Sequence, residues 1–247
     1  MNLTFNTSPK KSPYREQLDK LPEVFTLSET RRVLGYSTTT AHVTLSRWMR
    51  MGLVDALANR SGVYFNLEKN PSARQQHMQL AISKKYPVLR IVGPHVLANY
   101  GWTTQIQHYL NLVVNIPPVK GSTSLANGYL SVPEVDFSYR TKKWWMTALS
   151  DREYRDRDKT YIQGFESVSP GFALVDMWQR QEAGWFPDAD DLYLDEPGIP
   201  EAIMRACQLS NIEPEPLFDA IKIKKPIVLN DKQEPYTDTT EISYFSA

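Results

Sequence analysis

Arg47 and Arg50 stand three residues apart at the end of the stretch GYSTTTAHVTLSRWMRMG, residues 35–52. Side chains at that spacing are neighbours on a helix surface, so two guanidinium groups would project from one face. Arginine pairs bidentately with a guanine edge or a phosphate. Ahead of them lie Thr38, Thr39 and Thr40. Their hydroxyls, together with the free amides at a helix start, suit a phosphate oxygen. On a helical wheel centred on Leu45, the residues Ala41, Trp48 and Met49 form an apolar stripe. Thr39, Thr40, Val43, Arg47 and Arg50 fall opposite, with His42 and Ser46 on the flanks. No acidic residue occurs between Thr30 and Arg50.

Two uses of this face compete. An isolated helix with such a surface reads as a solvated face, and the elements around it decide otherwise. Thr26-Leu27-Ser28-Glu29 has the spacing of a capping box. The helix it opens runs to Leu34 and stops at Gly35, a residue suited to a left-handed C-terminal cap. Ser37 then caps a second helix ending at Gly52. LVDAL (53–57), ANRSG (58–62) and VYFNL (63–67) read as strand, turn and strand, with Ser61-Gly62 closing a hairpin. Two helices, a short turn and a hairpin make a winged helix-turn-helix, whose second helix lies in the DNA major groove.

In that setting the three threonines sit where a phosphate is favoured. Thr39, Thr40, Ser46 and Arg60 are expected to contact the DNA backbone, Arg60 from the wing tip, and Arg47 and Arg50 to read bases. Val43 has two readings, contact with a thymine methyl or packing on the first helix. His42, at the border of the face, reads as structural more than base-reading and is retained in the candidate surface.

The expected organisation is α+β: an N-terminal winged helix-turn-helix over 1–69, then a larger mixed α/β domain over 70–247, with Lys69-Asn70-Pro71 as a linker. Residues 1–13 read as a loose arm and Tyr14–Leu21 as a short helix stopped by Pro22. In the second domain, helices are expected near 72–85, over HVLANY ended by Gly101, over 172–183 ended by Gly184, and over 197–212. Strands are expected at 88–92, 109–114 and 129–140, the last interrupted by Pro133, and the tail from Pro226 reads as irregular.

Other constellations carry less chemistry. RTKKWW (140–145) interleaves cations with aromatics, as a single-strand binder would. The alternative, preferred here, is that Trp144 and Trp145 anchor the segment to a core. DREYRDRDK (151–159) reads as a solvated segment with local ion pairs. A nucleotidyltransferase needs a glycine-serine turn followed by paired carboxylates that hold magnesium. Gly121-Ser122 is present, but Asp136-Phe137-Ser138 lacks the second acid. Asp188, Asp190 and Asp191 form a denser acidic group that reads as a helix start or plain surface. His42, His77, His95 and His108 lack zinc-ligand spacing, and no GxSxG motif occurs. No catalysis, metal or cofactor is therefore expected.

Charge divides along the chain. Residues 1–70 carry ten basic against six acidic side chains, 71–160 twelve against six, and 161–247 six against sixteen. A basic front and an acidic rear favour different partners for the two halves. The most apolar runs, such as LNLVVNI, are strand-sized, and the N-terminus lacks a secretory core, so no membrane partner is expected. The single cysteine, Cys207, fits a reducing compartment, and a cytoplasmic location is expected.

The sequence resembles the AbiEi-like antitoxins of type IV abortive-infection toxin–antitoxin systems. The resemblance rests on FTLSETRRVLGYSTTTAHVTLSRWMRMGLV, on VGPHVLANYGWTTQIQHYLNLVV and on SVSPGFALVDMW. The chain departs from the family pattern at Gly93 and Tyr100, where serine and histidine are usual. It departs again at Gly171-Phe172, where the family has a charged pair. The resemblance implies an antitoxin that binds operator DNA and represses its own operon. It also implies a nucleotidyltransferase-like toxin as partner, neutralised without a stable complex.

Overall fold

The computed structural model describes residues 13–105, 107–118, 129–151, 160–181, 186–223 and 226. They fall into two compact units, Met1–Pro87 and Val88–Ala247, each mixing helices with small sheets, an α+β arrangement. The expected N-terminal arm, the Gly121-Ser122 turn, residues 152–159, the Gly184 helix stop and the tail beyond Pro226 lie outside the described residues. No helix among the described residues is long and apolar enough to cross a membrane.

The first unit runs α1 (Pro13–Asp19), β1 (Val24–Thr26), α2 (Leu27–Leu34), α3 (Thr38–Arg50), β2 (Val54–Ala56), β3 (Val63–Asn66), α4 (Ala73–Gln76) and α5 (Met78–Lys85). The start of α2 is fixed as its sequence implies. The Thr26 hydroxyl accepts from the Glu29 amide at 3.1 Å, and the Glu29 carboxylate accepts from the Thr26 amide at 2.7 Å. Gly35 ends α2 at φ 67°, a left-handed conformation that costs glycine little. Ser37 caps α3 by accepting from the Thr40 amide at 3.1 Å. β2 and β3 form an antiparallel hairpin, and β3 also pairs with β1 to give the sheet order β1-β3-β2. β1 is too short to announce itself by alternation, so the sequence leaves it unmarked.

Leu18, Leu21, Phe25, Leu45, Trp48, Val54 and Tyr64 form the core of this unit. Fully burying one such aliphatic or aromatic side chain is worth roughly 1.5–3 kcal/mol, so Leu45 and Trp48 fix the inner face of α3 despite its poor helix formers. Met49 departs from the expected stripe and is 37% exposed, because Ala41, Leu45 and Trp48 already fill the contact.

The first unit extends beyond the expected boundary at 69/70 to Pro87. The supposed linker is tied down: the Lys69 amide donates to Asn66 Oδ1 at 3.1 Å and Asn70 Nδ2 to Glu23 Oε2 at 2.8 Å. The helix expected over 72–85 is two helices broken at His77, whose ring lies 2.7 Å from Glu23 Oε2. α5 packs against β1 and β3.

The second unit contains β4 (Leu89–Ile91), α6 (Pro94–Asn99), β5 (Leu110–Val114), β6 (Val135–Tyr139), α7 (Lys142–Ser150), β7 (Tyr161–Ile162), β8 (Phe165–Glu166), α8 (Pro170–Gln179), α9 (Ile199–Ser210) and α10 (Pro214–Ala220). Its main sheet has the order β4-β5-β6, with β4 antiparallel and β6 parallel to β5. The strand expected over 129–140 narrows to 135–139, since the chain turns at Glu134 (φ 61°) after Pro133. α8 begins earlier than the expected 172: Ser169 accepts from the Phe172 amide at 3.1 Å and Pro170 fills the first turn, where it needs no donor. α8 packs on α9, and Gly171 permits the approach, since a Cβ there would lie 2.7 Å from the Ala202 carbonyl oxygen. α7 and α10 were not anticipated from the sequence.

Candidate nucleic-acid interface

The outward face of α3 is assembled by the packing of its inner face. With Ala41, Leu45 and Trp48 buried, the helical period turns Thr39, Thr40, His42, Val43, Ser46, Arg47 and Arg50 to the exposed side. From Thr39 to Arg50 this strip runs roughly 16 Å at the α-helical rise, comparable with the width of a DNA major groove. Val43 is 53% exposed, so it does not pack against α2. His42 is exposed as well, and the structural role expected for it is not supported by burial.

The hydroxyls are not equivalent. Thr40 Oγ1 lies 2.8 Å from Ser37 Oγ and shares in the helix cap. Thr39 and Ser46 are exposed with no such tie. Arg50 Nε donates to the Ser46 carbonyl at 3.4 Å, which folds its side chain back along the helix.

Arg47 has a partner that the sequence did not reveal. Its Nη1 donates to the Tyr14 hydroxyl at 3.2 Å, and its guanidinium lies 5.9 Å from the Tyr14 ring centroid. Tyr14 belongs to α1, which is anchored by the fully buried Leu18 and by Asn66 Nδ2 donating to the Leu18 carbonyl at 2.9 Å. The arginine is thus held outward from a fixed point on another helix. A contact between residues 33 apart leaves no trace in local spacing. Arg31 and Arg32, in the last turn of α2, are also exposed and add positive charge to the unit.

Arg60 stands exposed in the loop between β2 and β3 with a left-handed backbone, φ 57°. The loop is closed by the Ser61 amide donating to the Ala58 carbonyl at 3.1 Å and the Leu57 amide to the Val63 carbonyl at 3.0 Å. The turn falls within the expected residues 58–62, and Ser61 is buried, its hydroxyl donating to the Val63 carbonyl at 3.0 Å. Arg74 braces this hairpin, with Nη1 at 2.9 Å from Asp55 Oδ2 and 2.6 Å from the Ala56 carbonyl.

The other candidate groups of the sequence are dispersed. RTKKWW folds inward: Arg140 is buried in an ion pair with Asp176, Trp144 Nε1 donates to Asp176 at 2.7 Å, and Trp145 is 1% exposed. Asp188, Asp190 and Asp191 flank a single 3-10 turn, where Asp190 pairs with Lys222 at 3.1 Å and Asp191 accepts from Gln105. Asp136 lies exposed on β6. Among the described residues no three His, Cys, Asp or Glu side chains are grouped to hold a metal ion.

No family model matches the chain, and no curated protein matches it. Among solved structures it is similar to the RV2827C protein from Mycobacterium tuberculosis, with 15% sequence identity, a TM-score of 0.45, and coverage of 84% of this chain and 73% of that one.

Proposed function

We propose that residues 13–69 form a winged helix-turn-helix that binds double-stranded DNA, and that the chain is a cytoplasmic antitoxin repressing its own operon. One observation carries this reading: the exposed strip of α3, where hydroxyls, a valine and two arginines stand without an acidic side chain on a helix fixed from behind. The β2–β3 hairpin with Arg60 at its tip supplies the wing. Thr39, Ser46 and Arg60 would bind phosphates, and Arg47 and Arg50 the base edges. The antitoxin role rests on the sequence resemblance, which supplies a nucleotidyltransferase-like toxin as the partner of the second unit. In this reading the chain is not an enzyme and uses no metal or cofactor.

The experiment is a titration of DNA from upstream of the chain's own coding sequence, at two salt concentrations. Arg47→Ala or Arg50→Ala should cost about 1–3 kcal/mol and relax preference at one base pair. Arg60→Ala should weaken all sequences alike and lower the salt dependence by roughly one charge. Unchanged affinity in both Arg47→Ala and Arg50→Ala would remove the reading face and favour a protein-interaction role for the same fold. Rescue of growth from a co-expressed neighbouring toxin tests the second half of the proposal separately.

A further inference from the structure

A cavity of about 160 Å3 opens in the second unit against one face of the main sheet and the C-terminal end of α8. Asn111 of β5 and Asp136, Ser138 and Arg140 of the β6 segment line it, joined by Asp176 and Arg180 from the α8 side. The strands bring these side chains together: Asn111 pairs with Asp136 in the parallel register, and alternate residues of β6 point the same way.

Two of the charges are already committed. Arg140 and Asp176, 7% and 5% exposed, are joined through Nε–Oδ1 at 3.1 Å and Nη2–Oδ2 at 2.8 Å. Arg140 Nη1 also donates to Ser138 Oγ at 3.0 Å and to the Tyr139 carbonyl at 3.1 Å. This pair is a neutral, hydrogen-bonded wall of the cavity. Removing either member would leave the other charge buried and unpaired, so it belongs to the fold.

Arg180 and Asp136 are different. Both are exposed at the same cavity, and each sits in the other's field, yet they form no ion pair within 4 Å. Partial burial lowers the Arg180 guanidinium from its ordinary value, the Arg140 charge acts in the same direction, and Asp176 and Asp136 oppose them. Arg180 is thus a cation crowded by another cation and short of a direct counter-ion. Asp136 is an acceptor facing the same space. A ligand between them gains most if it offers an anion to the arginine and a cationic donor to the aspartate. Inorganic phosphate satisfies only Arg180 and sets its second negative charge against Asp136.

We propose that this cavity binds a free α-amino acid, the smallest common molecule with that charge pattern, its carboxylate on Arg180 and its ammonium on Asp136. Planar bidentate pairing suits guanidinium and carboxylate, and Asn111, whose Nδ2 already donates to Gln107 Oε1 at 3.1 Å, can accept beside them through Oδ1. The site stands independently of DNA binding by the first unit.

The test titrates the full-length chain with the common amino acids by calorimetry, with thermal melting as a second readout and inorganic phosphate as a separate arm. Saturable binding of at least one amino acid is expected. Arg180→Gln should weaken it roughly tenfold to a hundredfold, the loss of one charge-assisted contact. Asp136→Asn should weaken the amino acid while leaving its des-amino analogue unchanged. Neither side chain makes a contact the fold relies on, and circular dichroism of each variant verifies folding. The proposal is overturned if no amino acid binds at millimolar concentration, or if both variants bind like the parent. It is equally overturned if phosphate binds alone and Asp136→Asn leaves that binding intact.

Discussion

Tyr14 sets the direction of the one arginine on α3 that reaches another helix. Its hydroxyl accepts from Arg47 and its ring lies beneath the same guanidinium, so the side chain loses less freedom on binding than a free arginine would. Tyr14→Phe keeps the ring and removes the hydrogen bond. It should reduce DNA affinity by about 0.5–1.5 kcal/mol, less than Arg47→Ala, and the double variant should be no worse than Arg47→Ala alone. Additive losses in a titration series would mean that Tyr14 acts on DNA by itself. Arg60 gives a contrasting case, because its left-handed backbone strains an arginine and not a glycine. Arg60→Gly should raise the melting temperature by relieving about 1–2 kcal/mol of that strain while lowering DNA affinity. Stability and binding moving together would instead mean that the arginine is held there for packing.

The elements that present these residues were legible to different degrees. Thr26, Glu29, Gly35 and Ser37 act within four residues of their own positions, and the structure realises each cap as its type dictates. Thr26→Ala should cost about 0.5–2 kcal/mol of stability, read from denaturant unfolding. Glu29 adds a pH dependence. Burial alone would raise its carboxyl, but hydrogen bonds from Lys84, at 2.6 Å, and from the Thr26 amide and hydroxyl side outweigh burial and hold it below the ordinary carboxylate value. A carboxyl depressed in the folded state stabilises at neutral pH, and that contribution fades as acid titrates through its lowered value. Glu29→Gln should therefore melt lower than the parent at pH 7, with the gap closing below roughly pH 4.3. A gap independent of pH would assign the loss to packing. What local chemistry does not encode is contact across the chain. Met49 was expected inward because a wheel cannot tell how wide a stripe the partner surface accepts. Arg140 and Asp176, 36 apart, gave no sign of pairing. The placing of Asp136 and Arg180 at one cavity of the second unit was equally silent, since only the sheet and the end of α8 bring them there.

At the scale of the molecule, the first compact unit runs past the expected boundary at 69/70 to Pro87, and the reason is physical. Lys69-Asn70-Pro71 has the composition of a linker, but composition reports local preference and not what the side chains reach. Lys69 Nζ donates to the Leu21 carbonyl at 3.2 Å, and Asn70 reaches Glu23. Beyond them, Arg74 grips the hairpin, Lys84 completes the Glu29 cap, and Ala73, Ala81, Ile82 and Tyr86 are buried. α5 covers the strands β1 and β3, whose residues would otherwise face water. A chain ending at residue 69 keeps the Lys69 contact but forfeits all the others at once, whereas one ending at 87 keeps them. Burying Ile82 alone is worth roughly 1.5–3 kcal/mol, a large fraction of the stability of a unit this small. Fragment 1–87 should therefore unfold cooperatively and retain the DNA affinity of the full chain. Fragment 1–69 should melt far lower or bind dye as a partly folded state. Because Arg74 steadies the loop that carries Arg60, a residual fold in 1–69 should still lose the contribution of the hairpin tip to DNA binding. Equal melting temperatures for the two fragments would show that α4 and α5 belong to neither the core nor the interface of the first unit.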